Sequence, residues 1–236
     1  MRARHAAAAA PTALPVDAPQ RLDAALNALS LDLPPQARRQ LLAHLALLAR
    51  WNTVHNLTAV RDPARMLEQH LFDCLAVVPA LRDASRGGAD HLADGAVVLD
   101  VGSGGGLPGV VLAIAAPGVQ VHCVDAVAKK AAFVQQVRGE LGLSNLHAHH
   151  ARVEALRDLP PVTLAICRAF ATVASFIDLT APLLAPEGRW AAMKADAVDE
   201  ELRALPATVG LRAAITLSVP QLDARRQLLL LERRPA

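Results

Sequence analysis

The run Leu99-Asp100-Val101-Gly102-Ser103-Gly104-Gly105-Gly106-Leu107-Pro108-Gly109 carries the clearest chemistry in the chain. An apolar stretch ends in a carboxylate, and glycines follow closely. Glycine reaches positive φ at no steric cost and lets a ligand lie against the backbone. Two ligand frames fit. Gly104-x-Gly106-x-x-Gly109 has the spacing of a dinucleotide loop, where a helix N-terminus receives a pyrophosphate. Asp100-x-Gly102-x-Gly104-x-Gly106 has the spacing of an acidic-glycine loop for S-adenosylmethionine (SAM). In the first frame Pro108 removes an N–H that would face phosphate; in the second it merely starts a helix. The SAM frame is therefore expected.

Other candidates lie downstream. Asp125 ends an apolar run and is suited to accept hydrogen bonds from ribose hydroxyls, or to cap the next helix. Lys129 and Lys130 would be the phosphate site of a rival NADP reading. Val153 and Glu154 offer an apolar surface and a polar group for an adenine. Arg168 directly follows Leu164-Ala165-Ile166-Cys167, where packing gives no reason for a charge. Its guanidinium suits a carboxylate or phosphate, or else an ion pair with Asp100 or Asp125. His147, His149 and His150 could suggest metal, but at most two share a strand face and no further ligand completes a shell. No metal is expected.

These residues need strand ends to hold them. From about 93 onward, apolar runs alternate with helical patterns. Strands are expected at 96–101, 119–124, 145–150, 162–167 and 188–193. Helices are expected at 108–116, 126–141 and 172–184. A final antiparallel pair is expected at 211–219 and 227–231. This predicts an α/β fold: a Rossmann-like class I SAM methyltransferase with a mostly parallel seven-stranded sheet and an antiparallel edge.

Residues 1–18 read as a low-complexity disordered tail, 19–92 as a small N-terminal helical segment and 93–236 as the SAM-binding domain. Within the segment, Leu41, Leu45, Leu48 and Trp51 share a helix face, with Arg38, Arg39 and His44 among its polar neighbours. Asp62 is a helix N-cap, with Pro63 at the first helical position. His70 and Asp73 have the spacing to hydrogen-bond each other and to link this segment to the sheet. Residues 86–90 read as a linker.

Composition narrows the class. The 236 residues suffice for one core plus a small accessory unit. A net charge of +2 argues neither for nor against nucleic acid. No apolar run reaches the roughly 20 residues of a membrane span. Three dispersed cysteines suggest a reducing compartment without disulfides or zinc, so a cytoplasmic protein is expected. The chain holds no tyrosine, which removes one common catalytic residue of NAD(P) oxidoreductases.

Read together, these pieces resemble the RsmG (GidB) family of bacterial 16S rRNA guanine-N7 methyltransferases over about residues 35–232. The resemblance rests on Trp51-Asn52, Asn56-Leu57-Thr58, Arg61-Asp62-Pro63, His70 with Asp73, the glycine loop with its Leu-Pro-Gly ending, Arg152-Val153-Glu154, Arg168-Ala169-Phe170 and Lys194. It implies SAM contacts at Gly102, Leu107, Val153, Glu154 and Arg168, joined by Asp125 from the residue reading. It implies as acceptor a guanosine of 16S rRNA in the small ribosomal subunit. Guanine N7 carries a lone pair and no proton, so no catalytic base is expected. A monomer is expected. A SAM methyltransferase for a small molecule or protein, and a non-catalytic SAM-binding assembly module, remain the alternatives.

Overall fold

A computed structural model describes residues 13–195 and 198–235. Most of the expected tail, residues 1–12, lies outside them.

The N-terminal helices are α1 (Ala18–Ala28), α2 (Pro35–His55) and α3 (Pro63–Met66), then a π-helical turn (Leu67–Phe72), α4 (Asp73–Leu75), α5 (Val77–Arg82) and α6 (Ala84–Gly87). Proline opens α2 and α3, and the Asp62 carboxylate accepts the Ala64 N–H as the expected cap. Residues 86–90 are not wholly a linker: Asp83 caps α6, whose turn runs through Gly87.

Strands and helices then alternate: β1 (Val97–Val101), α7 (Gly109–Ala115), β2 (Gln120–Asp125), α8 (Ala128–Leu141), β3 (Leu146–His150), a 3-10 turn (Val153–Ala155), β4 (Val162–Arg168), α9 (Val173–Thr180), β5 (Leu184–Lys194), α10 (Val198–Arg203), β6 (Val209–Thr216) and β7 (Gln227–Arg233). Helix α9 stops short of the expected 184, because Pro182 cannot continue it. The Thr180 hydroxyl ties the last turn to β5, donating to Phe176 O and accepting from Trp190 Nε1.

The seven-stranded sheet has order β3-β2-β1-β4-β5-β7-β6. All neighbours are parallel except β7, which runs antiparallel to both β5 and β6. The order reverses beside β1, between β2 and β4, the kind of point at which open α/β sheets commonly receive ligands at their strand ends. Alternate residues feed two layers. Val98, Val121, Leu164 and Leu230 face one core, which also holds Leu22, Leu41, Leu45 and Leu71 of the N-terminal helices. Leu99, Val124, Ala165 and Leu229 face the other, against Phe176 and Ile177 of α9. The N-terminal helices thus share one apolar interior with the sheet.

Candidate active site

Gly102 and Ser103 both donate their N–H groups to Val124 O, so the glycine loop leaves β1 tied to β2. Gly102, Gly104 and Gly106 all lie at positive φ. The loop is also held from below. Gly109 N–H donates to Asp100 Oδ2 (2.8 Å), and a Cβ on Gly109 would meet Asp100 Oδ2 at 2.8 Å. Only glycine lets α7 start this close to the carboxylate. Asp100 is fully buried, its Oδ1 has no partner among the described residues, and burial pushes its carboxyl up to about 7.

Asp125 is almost fully committed. Its Oδ2 accepts Gly104 N–H (3.0 Å), its Oδ1 accepts Val127 N–H (2.9 Å), and Lys130 Nζ stands 3.6 Å away. It fastens the loop and opens α8 together. Lys130 neutralises this carboxylate, which disfavours the rival role of phosphate ligand.

Support comes also from α2, which the sequence reading missed. His44 is fully buried, not a polar neighbour on a solvent face, and its Nε2–H donates to Gly105 O (2.9 Å). Burial holds its pKa at about 4, so the ring is neutral near pH 7. Leu48, one turn on, would meet a Cβ on Gly105 at 2.8 Å. A signal was present: His44 lies between Leu41 and Leu48 on the apolar stripe. His44→Leu should leave Gly105 O unpaired and lower stability by roughly 1–3 kcal/mol. Denaturant melts check this; an unchanged midpoint would remove His44 from the loop's support.

Arg168 ends β4. Its Nη1 donates to Gln69 O (3.0 Å) and to Asp73 Oδ2 (3.2 Å). The expected partners Asp100 and Asp125 are therefore replaced by Asp73, on the N-terminal helices. Nor do His70 and Asp73 bond each other. His70 Nε2 meets Thr58 Oγ1 (2.8 Å), while the buried Asp73 also receives Arg226 Nε at Oδ1 (3.0 Å). The expected link between helices and sheet exists, with Arg168 as its centre. Asn52 completes the wall, accepting Thr58 N–H and donating to Val60 O. Burial and the Arg168 charge keep His70 at about 4, hence neutral.

Two cavities meet at Gly102, Arg168 and Ala169. The first, about 470 Å³, is lined by Asp125, Lys130, Val153, Glu154 and Phe170 among others. The second, about 480 Å³, includes Leu107, Thr58, His70, Asp73, Lys194 and Arg226. Gly102, Asp125, Val153, Glu154 and Arg168 thus converge on the first, and Leu107 stands in the second. Val153 is buried, whereas Glu154 is exposed beside Arg152 (3.7 Å). Ala169 takes φ 56°, a left-handed conformation that turns the chain sharply at the seam.

The histidines of β3 stand away from this seam. His149 Nε2 lies 3.0 Å from Nδ1 of His122, a residue the sequence reading left out, and His147 stacks on the same ring. No group of three or more His, Cys, Asp or Glu among the described residues could hold a metal ion.

A family model described as rRNA small subunit methyltransferase G matches residues 37–230. The chain belongs to this family. A ribosomal RNA small subunit methyltransferase G of Acidovorax ebreus is 56% identical over 207 residues, covering 86% of this chain and 90% of its own. One from Methylibium petroleiphilum is 48% identical, covering 94% of this chain and 99% of its own. The solved structure of a variant of MtNAS is similar to the fold at TM-score 0.53 and 16% identity, covering 93% of this chain and 81% of that one. Membership in the methyltransferase G family and the sheet order agree on the class I methyltransferase architecture.

Proposed function

We propose that this protein transfers a methyl group from SAM to N7 of a specific guanosine in 16S rRNA, within the small ribosomal subunit. The observation that carries the reading is the pair of cavities joined at Gly102 and Arg168, in a chain of the methyltransferase G family.

The loop fits a cationic donor better than a pyrophosphate. The N–H groups of Gly102, Ser103, Gly104, Leu107 and Gly109 are spent inside the protein, and Pro108 has none. Two acidic side chains, Asp100 and Asp125, support the loop instead. When bound, SAM supplies a methyl group activated on a sulfonium. Asp125 and Glu154 would hold the ribose and adenine end, Val153 would face the adenine, and the backbone at Gly102 and Leu107 would flank the methionine end. Arg168, with Nε and Nη2 unpaired among the described residues, would hold its carboxylate.

The second cavity would receive the acceptor base. Neutral His70 has both ring nitrogens occupied, at Thr58 Oγ1 and Gln69 O, so it is not poised as a base. Attack by N7 needs none: the lone pair takes the methyl, and no proton leaves. The residues then have to align two reactants and exclude water. The three cysteines are free and buried, which supports work in a reducing cytoplasm. Among the described residues no helix is long and apolar enough to cross a membrane.

The test offers labelled SAM to small subunits lacking N7-methylguanosine, with naked 16S rRNA and bulk protein alongside. Label recovered as N7-methylguanosine supports the reading. SAM binding without label in either RNA form overturns it in favour of a small-molecule enzyme or a non-catalytic module. Arg61 and Arg65 are exposed and follow the Leu57–Val60 wall, Arg61 donating to Asn56 Oδ1 (2.7 Å), whereas Arg38 is held by Asp23 and Leu33 O. An Arg61→Ala/Arg65→Ala variant should lose methylation about tenfold or more with SAM binding intact. Unchanged turnover would exclude these two from gripping RNA.

A further inference from the structure

We infer that Arg226 binds a backbone phosphate of the acceptor nucleotide and that Asp73 positions it; this rests on the rRNA reading above. Three cations line the second cavity: Arg168, Lys194 and Arg226. Lys194 is satisfied by Glu201 (2.8 Å). The other two share one carboxylate, each taking one oxygen of Asp73 at 3.2 and 3.0 Å. Among the described residues, two guanidiniums against a single buried carboxylate leave one positive charge uncompensated at the cavity wall. That excess calls for an anion.

Two anions are available to the reaction: the carboxylate of the donor and a phosphodiester of the acceptor. Their places differ. Arg168 lines both cavities and so reaches the donor, whereas Arg226 lines only the second. Arg226 also directly precedes β7, whose first residue Gln227 pairs with Lys194 at the strand ends that face the site. Its Nε is committed to Asp73 and its Nη1 to Arg225 O (2.9 Å), which leaves Nη2 without a partner among the described residues. Asp73 thus holds the guanidinium in one orientation before any RNA arrives, which reduces the ordering cost of binding. A fixed donor in the wall of the second cavity also sets which face of the nucleotide meets the methyl group.

The test compares Arg226→Ala and Arg226→Gln with Arg234→Ala. Arg234 follows β7 at its other end, where it donates to Val209 O, so it removes the same charge away from the site. Gln at 226 retains a donor towards Asp73 and separates the lost charge from a lost fold. Both Arg226 variants should raise KM for the small subunit about tenfold or more, leave Kd for SAM unchanged and lower the slope of log KM against log salt by about one. Arg234→Ala should match the parent. A weakened SAM Kd with an unchanged KM would assign Arg226 to the donor carboxylate and overturn the inference. An unchanged salt slope with a lowered melting temperature would reduce it to a structural ion pair. If the parent protein itself methylates no RNA, the rRNA reading fails before Arg226 is tested.

Discussion

Replacing Arg168 with methionine should reduce methyl transfer roughly a hundred- to a thousandfold. The side chain stands at the seam of the two cavities and is clamped by Gln69 O and Asp73 on one edge. Its other edge has no partner among the described residues and would take the donor carboxylate, so a flexible linear side chain cannot replace it. Arg168→Lys should keep the charge but lose the fork, and recover only part of the rate. Stability should also fall. Breaking a buried pair costs about 3–5 kcal/mol, but Asp73 keeps Arg226, so a loss of about 2 kcal/mol is expected. Titration with SAM, single-turnover rates and denaturant melts together check this. A methionine variant with parental SAM affinity and rate would exclude Arg168 from the donor site.

Asp100→Asn should change how stability responds to pH. The buried carboxyl titrates at about 7 in the folded protein, against about 3.9 when unfolded. Between these values the folded state holds a proton that the unfolded state has released. Stability therefore falls as pH rises from about 4 to 7, by about 4 kcal/mol in total. Buried His44 and His70 act in the opposite sense, since both stay neutral when folded and lose stability as pH drops from 6.5 towards 4. Both histidines are common to parent and variant, so the difference between the two isolates Asp100. An asparagine can still accept Gly109 N–H. The variant should gain on the parent by about 2 kcal/mol or more at pH 8 compared with pH 4.5. A difference that does not move with pH would show that Asp100 is not the titrating group.

Local signals in the sequence were read correctly where local physics decides them. The Asp62–Pro63 cap, the glycine loop and the alternation of 93–194 each depend on neighbours within a few residues. The loop's ligand frame was legible because Pro108 lacks an N–H. What stayed hidden depends on distant partners. Arg168 was visible as an unexplained charge, but its partner Asp73 lies 95 residues earlier, and no spacing rule connects them. His122 is a single histidine in an apolar strand and gains meaning only from the register that sets it beside His147. His44 was within reach: a polar residue on an apolar helix stripe needs a buried partner, and here it is Gly105 O.

The place of β7 bears on how the molecule is made. It follows β6 in sequence, yet its strand lies inside the sheet, between β5 and β6, with Leu228 to Leu231 fully buried. The earlier strands can pair while the chain is growing. Strand β6 has no partner until β7 arrives, and Asp73 lacks one of its two arginines until then. The finished site thus depends on the insertion of β7. A chain in which β7 has not docked could hold a partial sheet but not the wall that Arg226 gives to the second cavity, so the site should form only together with this inserted strand.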